Sequence, residues 1–393
     1  MFSSRVPREL ALNRLSTSIA AHRASGKPLI DLTVTNPTGA DIRYDDDLLA
    51  PLGSIAGLTY TPEPFGMRSA RRAVADDYAR RGISVAQERI VLTASTSEAY
   101  SVLFKLLCAP QGDAVLVPQP SYPLFEHLTR LDGVSSEPYA LEYHGRWFVD
   151  DRSVDRAWTD RTRALLAVSP NNPTGSLLLP EELEALRRRC AERDAALILD
   201  EVFADYTFDD AQPAEAGRGT RASTSSEALT FRLGGLSKSA GLPQVKLGWI
   251  VVEGPAALVN AALPRLELIC DTYLSVSTPV QVAAPVLIER GAAIRAQIQQ
   301  RVNANLRVLR EAAAADPSVE LLDGEGGWSA VIRVPSKEPE EDLVIALLER
   351  RGTLVHPGFF FDFAHESHLV FSLLPAPAPF AEGVGRVMEY LRG

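Results

Sequence analysis

Lys238 lies in a loop of small residues between two apolar runs, in the stretch Leu229 to Gly248, LTFRLGGLSKSAGLPQVKLG. Leu229–Leu233 predicts a buried strand. The pair Gly234 and Gly235 is expected to end that strand and let the backbone approach a neighbour closely. Ser237 and Ser239 flank the lysine, and Lys246 precedes a second apolar strand, Gly248–Val252. An amine held in dry surroundings loses its proton more easily and becomes a nucleophile able to form a Schiff base. Taken alone, the stretch also reads as a solvated loop. Three other places carry comparable chemistry. Ser95, Thr96 and Ser97 stand where a strand runs into a helix, and the unpaired N–H groups of a first helical turn suit a phosphate; plain helix capping reads the same residues. Asp200 follows Leu197-Ile198-Leu199, so its carboxylate emerges from a dry strand and needs a partner, unless it caps a turn. Asn172 sits in Pro170-Asn171-Asn172-Pro173-Thr174-Gly175.

The elements that must position these groups alternate along the chain. Leu29–Val34 predicts a short strand before the turn Asn36-Pro37-Thr38-Gly39. Tyr60–Pro64 is extended, restricted by two prolines. A helix from Gly66 through Arg81 closes at Gly82. Arg89–Thr93 is a strand, followed by a helix to Cys108 with Pro110 as the stop. Ala114–Val117 is a strand, and Pro120-Ser121-Tyr122-Pro123 is a turn opening a helix through Leu131. Tyr139–Glu142 is extended, Arg163–Ser169 is an apolar strand, Pro180–Arg193 a helix and Ala195–Leu199 a buried strand. Asp209–Ser226 reads as a polar surface loop. This βαβ alternation predicts a mainly parallel sheet covered by helices on both faces. Ligands bind at the carboxyl ends of such strands, where Ser95–Ser97, Asn172, Asp200 and the Lys238 loop all fall. Pro279–Ala315 is a long helical pattern, expected to break gently near Gly291. Val319–Leu322, Trp328–Val334, Glu340–Arg351, Leu354–Gly358, Leu369–Leu373 and Phe380–Leu391 then form a small α/β unit.

The 393 residues, 46% hydrophobic and 23% charged, are those of an ordinary globular protein, and two domains are the natural expectation at this length. A net charge of −10 argues against a nucleic-acid surface. Cys108, Cys190 and Cys270, few and far apart, suit a reducing, cytoplasmic setting and offer no zinc spacing. No apolar run is long enough to span a bilayer. The leucines and isoleucine of the first 23 residues recur at helical spacing, predicting an N-terminal helix; a transit peptide is the alternative, against which Glu9 counts. His365 and His368, with Asp362 and Glu366, read as a solvated loop rather than a metal site, and no metal is expected.

The joint order Asn-Pro-Thr-Gly, Asp-Glu, Ser-Lys, each after a strand, resembles the class I/II aminotransferases, the fold-type-I enzymes that use pyridoxal 5′-phosphate (PLP), over nearly the whole chain from about Leu29. The resemblance implies a large domain at 46–278 with a mainly parallel seven-stranded sheet, an N-terminal arm at 1–45, and a connecting helix with a small C-terminal α/β domain at 279–393. It implies that Lys238 is the Schiff-base lysine, with Ser237 beside it in the cofactor site. Asp200 matches the partner of the pyridine nitrogen, Asn172 the donor to the ring's 3-oxygen, and Tyr122 the ring that stacks on the cofactor. Ser95, Thr96 and Ser97 match the phosphate loop. Tyr60 matches a tyrosine reaching the partner subunit's phosphate, hence a homodimer. Thr35 and Asn36 match the segment that folds over the substrate. The partners implied are an amino acid and a 2-oxo acid.

Four positions depart from that pattern. Phe203 replaces a tyrosine, Gly235 a serine, and Lys246 a phosphate-binding arginine, a point charge instead of a planar fork. Val370, in Leu369-Val370-Phe371-Ser372, stands where an arginine usually holds the substrate carboxylate. The substrate carboxylate is then expected to be held by Asn172, by backbone near Thr35 and Asn36, or by a displaced arginine such as Arg333. The alternative is a substrate without a carboxylate there, against an apolar wall of Phe359-Phe360-Phe361. A neutral or apolar side chain is expected because no second cation is evident for a dicarboxylic acid. A lyase, decarboxylase or racemase on the same fold, and a non-catalytic PLP-binding protein, are the alternatives. A Ser–Lys hydrolase lacks its Ser-x-x-Lys spacing, because Gly235 takes the first position. A nucleotide-binding enzyme is disfavoured without a Walker loop or GxGxxG.

Overall fold

The computed structural model describes residues 2–7, 13–209, 227–274, 276–335, 337–365 and 367–393. Most of the expected polar loop at 209–226, part of the expected N-terminal helix at 8–12, and Glu366 lie outside the described residues.

The strands are β1 (Ile30–Asp31), β2 (Ile90–Thr93), β3 (Ala114–Gln119), β4 (Ser135–Tyr143), β5 (Trp147–Val149), β6 (Thr162–Val168), β7 (Ala196–Asp200), β8 (Thr230–Gly235) and β9 (Gly248–Glu253). Strands β2 to β9 form one sheet in the order β2-β9-β8-β7-β6-β3-β4-β5. β3, β4, β6, β7 and β8 are mutually parallel; β9 runs against both β8 and β2, so β2 shares their direction. The expected parallel sheet thus carries one short extra edge, β5, antiparallel to β4. Every residue of β7, β8 and β9 is buried, as follows from apolar runs without polar alternation. Val91, Phe104, Ile198, Leu233 and Leu266 pack on one face of the sheet, and Leu165, Leu183, Leu186, Leu197 and Leu199 on the other.

A second, four-stranded antiparallel sheet joins β10 (Glu320–Leu322), β11 (Ser329–Arg333), β13 (His356–Pro357) and β14 (His368–Ser372) in the order β10-β11-β14-β13. β12 (Thr353–Leu354) pairs instead with β1, which carries the N-terminal segment to this end of the molecule.

Three expectations are corrected. The predicted strand Leu29–Val34 contracts to two residues, because Asp31 accepts the Thr33 N–H at 2.9 Å and turns the chain. Gly234 and Gly235 do not end their strand. Both pair with β9, and a Cβ on Gly234 would lie 2.5 Å from the Trp249 indole nitrogen, so these glycines admit a close neighbour within the sheet. The long helix, Thr278–Ala314, is unbroken. A Cβ on Gly291 would lie 2.5 Å from that of Ala240, so this glycine is a notch that seats the helix against the Lys238 loop. The helix Ala256–Tyr273, which covers one face of the sheet, was not anticipated from the sequence. Among the described residues no helix is long and apolar enough to cross a membrane.

Candidate active site

The sheet brings the loops that follow β2, β3, β6, β7 and β8, the last of which leads into β9, to a single edge. The Lys238 loop there is fixed through its backbone. The Tyr206 hydroxyl donates to the Lys238 carbonyl at 2.7 Å, Arg295 of the long helix to that of Ser239 at 2.8 Å, and Tyr44 to that of Gly241 at 2.7 Å. The Lys238 side chain keeps some solvent contact through the cleft, but its amine is ringed by protein. Nζ lies 4.8 Å from the centre of the Trp328 ring and 5.5 Å from that of Phe203. Burial among these rings pulls the amine down to about 8, against the opposing pull of the Asp200 charge.

Asp200 ends β7 and is 6% exposed. Its Oδ1 accepts the Val202 N–H at 3.0 Å, and its Oδ2 accepts the Tyr100 hydroxyl at 2.5 Å. Burial pushes its pKa up to about 6; the Tyr100 hydrogen bond, the Val202 N–H and the Lys238 charge oppose that rise, while Glu201 adds to it. Phe203 stacks edge-on against Trp328 with centroids 5.3 Å apart, so the position of the missing phenol is a dry aromatic wall.

The phosphate-like corner is built by capping. Ser95 starts the helix α3 (Thr96–Leu107), its hydroxyl accepting the Glu98 N–H at 3.1 Å, and Glu98 in turn accepts the Ala94 N–H. This is the capping reading of the sequence, and it coexists with the other: the N–H groups of Thr96 and Ser97 still belong to a first turn, without intrahelical acceptors. Gly248 makes the corner compact, since a Cβ there would lie 3.0–3.1 Å from the Ser95 and Thr96 backbone. Gly235 is closely packed, with Leu247 O 3.1 Å from a Cβ placed on it. Lys246 stands exposed at the same edge with φ 61°.

Asn171 and Asn172 divide their work. Asn171, 2% exposed, donates to Pro120 O and Thr174 Oγ1 and accepts from Ser121, locking the turn that carries Tyr122 to the loop after β6. Asn172 faces the small sheet, where its Oδ1 accepts the Ser329 hydroxyl at 3.1 Å. Tyr122 is 46% exposed on the rim, and Tyr60 is 64% exposed. Thr35 is exposed, and Asn36 spends its side-chain oxygen on capping the turn at Thr38. Ser237 is partly exposed beside the lysine.

Val370 is buried with Val331, Leu322, Trp147 and Phe361, and lies directly opposite Val331 on the neighbouring strand. The Arg333 guanidinium pairs with Glu320 at 2.9 Å on the exposed side of the small sheet. Sequence reasoning missed Tyr100, Tyr206 and Trp328. None of the three carried a local signal, because each acts through a contact with a segment distant in sequence.

A family profile described as aminotransferase class I and II matches residues 27–376. The chain belongs to this family. Among curated relatives, an alanine aminotransferase of Mycobacterium tuberculosis is 26% identical over 94% of this chain and 86% of its own length. An arginine–pyruvate transaminase of Pseudomonas aeruginosa is 28% identical over 92% and 90%. Among solved structures, the alanine aminotransferase from Pyrococcus furiosus superposes with a TM-score of 0.85 at 22% identity, covering both chains completely, and that likeness concerns the fold. As a class I/II aminotransferase, the chain is an enzyme of amino-group transfer between amino acids and 2-oxo acids.

Proposed function

We propose that this aminotransferase uses PLP, takes a neutral or apolar amino acid as donor and a 2-oxo acid as acceptor, and works in the cytoplasm as a homodimer with shared sites. The observation that carries the reading is the buried Lys238 amine, pulled down to about 8, beside the buried Asp200 carboxylate at the ends of adjacent strands. The residues present fit the cofactor: a nucleophilic amine, a dry carboxylate, and a helix start made compact by Gly248. When bound, PLP supplies an electron sink for the carbanion formed at the amino acid's α-carbon. Asp200 would hold a proton on the ring nitrogen. Lys238 Nζ would take up and hold the proton from the amino acid's α-carbon. Thr96 and Ser97 would donate to the phosphate with Ser95 behind them and Lys246 as a nearby charge, while Asn172 and Tyr122 orient the ring. Phe203 and Trp328 keep water from the amine. Residues 46–278 are read as the large cofactor-binding body, 279–393 as the connecting helix and small body, and 1–45 as an arm to the latter.

Borohydride reduction of the loaded enzyme, then peptide mapping, should find the pyridoxyl group on Lys238. Its recovery on another lysine, or on none, sinks the reading. A keto-acid product with conversion of the cofactor to its amine form separates transfer from loss of carbon dioxide or of a side-chain group.

A further inference from the structure

The Asp200 carboxylate is held from a direction the sequence did not suggest. Tyr100 lies on α3, the helix whose first turn carries Thr96 and Ser97, and it is 1% exposed. Its ring is clamped between Phe104, stacked at 6.1 Å, and Phe125, edge-on at 5.4 Å. Its hydroxyl makes a 2.5 Å hydrogen bond to Asp200 Oδ2, between two buried side chains a hundred residues apart. The other carboxylate oxygen has a backbone N–H.

We propose that Tyr100 is a positioning residue of the amino-transfer site: it fixes the plane of the Asp200 carboxylate and keeps it ionised, so that one helix serves both the phosphate and the ring-nitrogen ends of the cofactor. The inference rests on the reading of Asp200 as the partner of that nitrogen. Its physical basis is the cost of a buried charge. A carboxylate out of water reverts to its neutral form unless hydrogen bonds favour the anion. The titratable and charged groups coupled to Asp200 are Tyr100 from α3, Glu201 beside it, and Lys238 from the loop after β8. Glu201 works against ionisation, and it is itself held by Arg232 of β8 at 2.5 Å. Among the influences that favour the anion, the Tyr100 hydroxyl is the largest. The phenol is itself pushed well above its ordinary range by burial and by the adjacent carboxylate, so it retains its proton and acts only as a donor.

The test compares Tyr100→Phe with wild type in two readouts, kcat/KM against pH and PLP affinity of the full chain against pH. Loss of the donor should move the acid limb of kcat/KM upward by about one unit. It should weaken PLP binding about tenfold or more at pH 7, a deficit that narrows as pH rises. Placing 3-fluorotyrosine at position 100, nearly isosteric and with a more acidic phenol, should move the limb the opposite way; this arm stands even if Tyr100→Phe folds poorly. A limb that stays put in both variants, or losses uniform across pH, overturns the proposal and leaves Tyr100 a packing residue. Asp200→Asn separates the two levels of the reading. Turnover near normal in that variant removes the Asp200 assignment itself, whereas a dead Asp200→Asn with unmoved limbs at position 100 removes only the role of Tyr100.

Discussion

At the scale of residues, the proposal of how the substrate carboxylate is held turns on Val370. An arginine at this point would present a planar fork to a carboxylate, a contact roughly twice as strong as one between neutral partners. Val370 is instead 1% exposed and packed against Val331, Trp147 and Phe361. Replacing it with arginine would bury an unpaired guanidinium in that cluster, which costs several kcal/mol and obscures any gain in binding. The substrate is the better variable. If neutral donors such as Asn172 hold the carboxylate, an α-amino acid and its α-carboxamide should differ by less than about tenfold in kcat/KM, since one neutral hydrogen bond is worth about 1 kcal/mol. Steady-state kinetics on such matched pairs checks this. Discrimination of about a hundredfold or more would mean that a cation reaches the carboxylate after all.

At the scale of elements, the Lys238 loop leans on the long helix behind it, through Arg295 and at Gly291. Gly291→Ala would ordinarily stabilise a helix by about 1 kcal/mol. Here the added carbon would fall 2.5 Å from the Cβ of Ala240, two residues beyond Lys238. Overpacking of this kind costs about 1–3 kcal/mol. Gly291→Ala should therefore lower the melting temperature by a few degrees, and Ala240→Gly added to it should restore most of the loss. A rise in melting temperature for the single variant would mean that the loop yields freely. The same glycine marks the limit of what the sequence reveals. Its type suggested a helix break, because propensity is local, whereas the close approach of Ala240 is a tertiary fact. The buried parallel strands, and the fall of the candidate site residues at their ends, were legible, since apolar runs punctuated by Gly, Pro and Asn mark such strands; the order of the strands in the sheet was not. Lys238, Asp200 and Asn172 could be found that way. Tyr100, Tyr206 and Trp328 could not, because their roles arise from contacts between segments far apart in sequence.

At the scale of the whole molecule, one apolar group stands open to solvent beside the site's proposed tyrosine. Ile55 and Leu58 are each 82% exposed and Tyr60 64%, an apolar group on a segment of short turns. Burying such a patch against a second copy would remove it from water, and a two-fold axis would make the exchange reciprocal. If Tyr60 serves the neighbour's site, every site takes its lysine from one subunit and its tyrosine from the other. A Tyr60→Ala protein and a Lys238→Ala protein would each be impaired, for different reasons. Dissociated and reassociated together, they should form mixed dimers in which one site has both native residues and the other neither. Random pairing of equal amounts predicts recovery of about a quarter of the wild-type sites. Gel filtration with light scattering reports the assembly, and activity after mixing reports the sharing. Recovery absent from a verified mixed dimer would place Tyr60 in its own subunit's site or in none. A monomer with full activity would remove the shared site altogether, and the apolar surface around Ile55 and Leu58 would then need a different occupant.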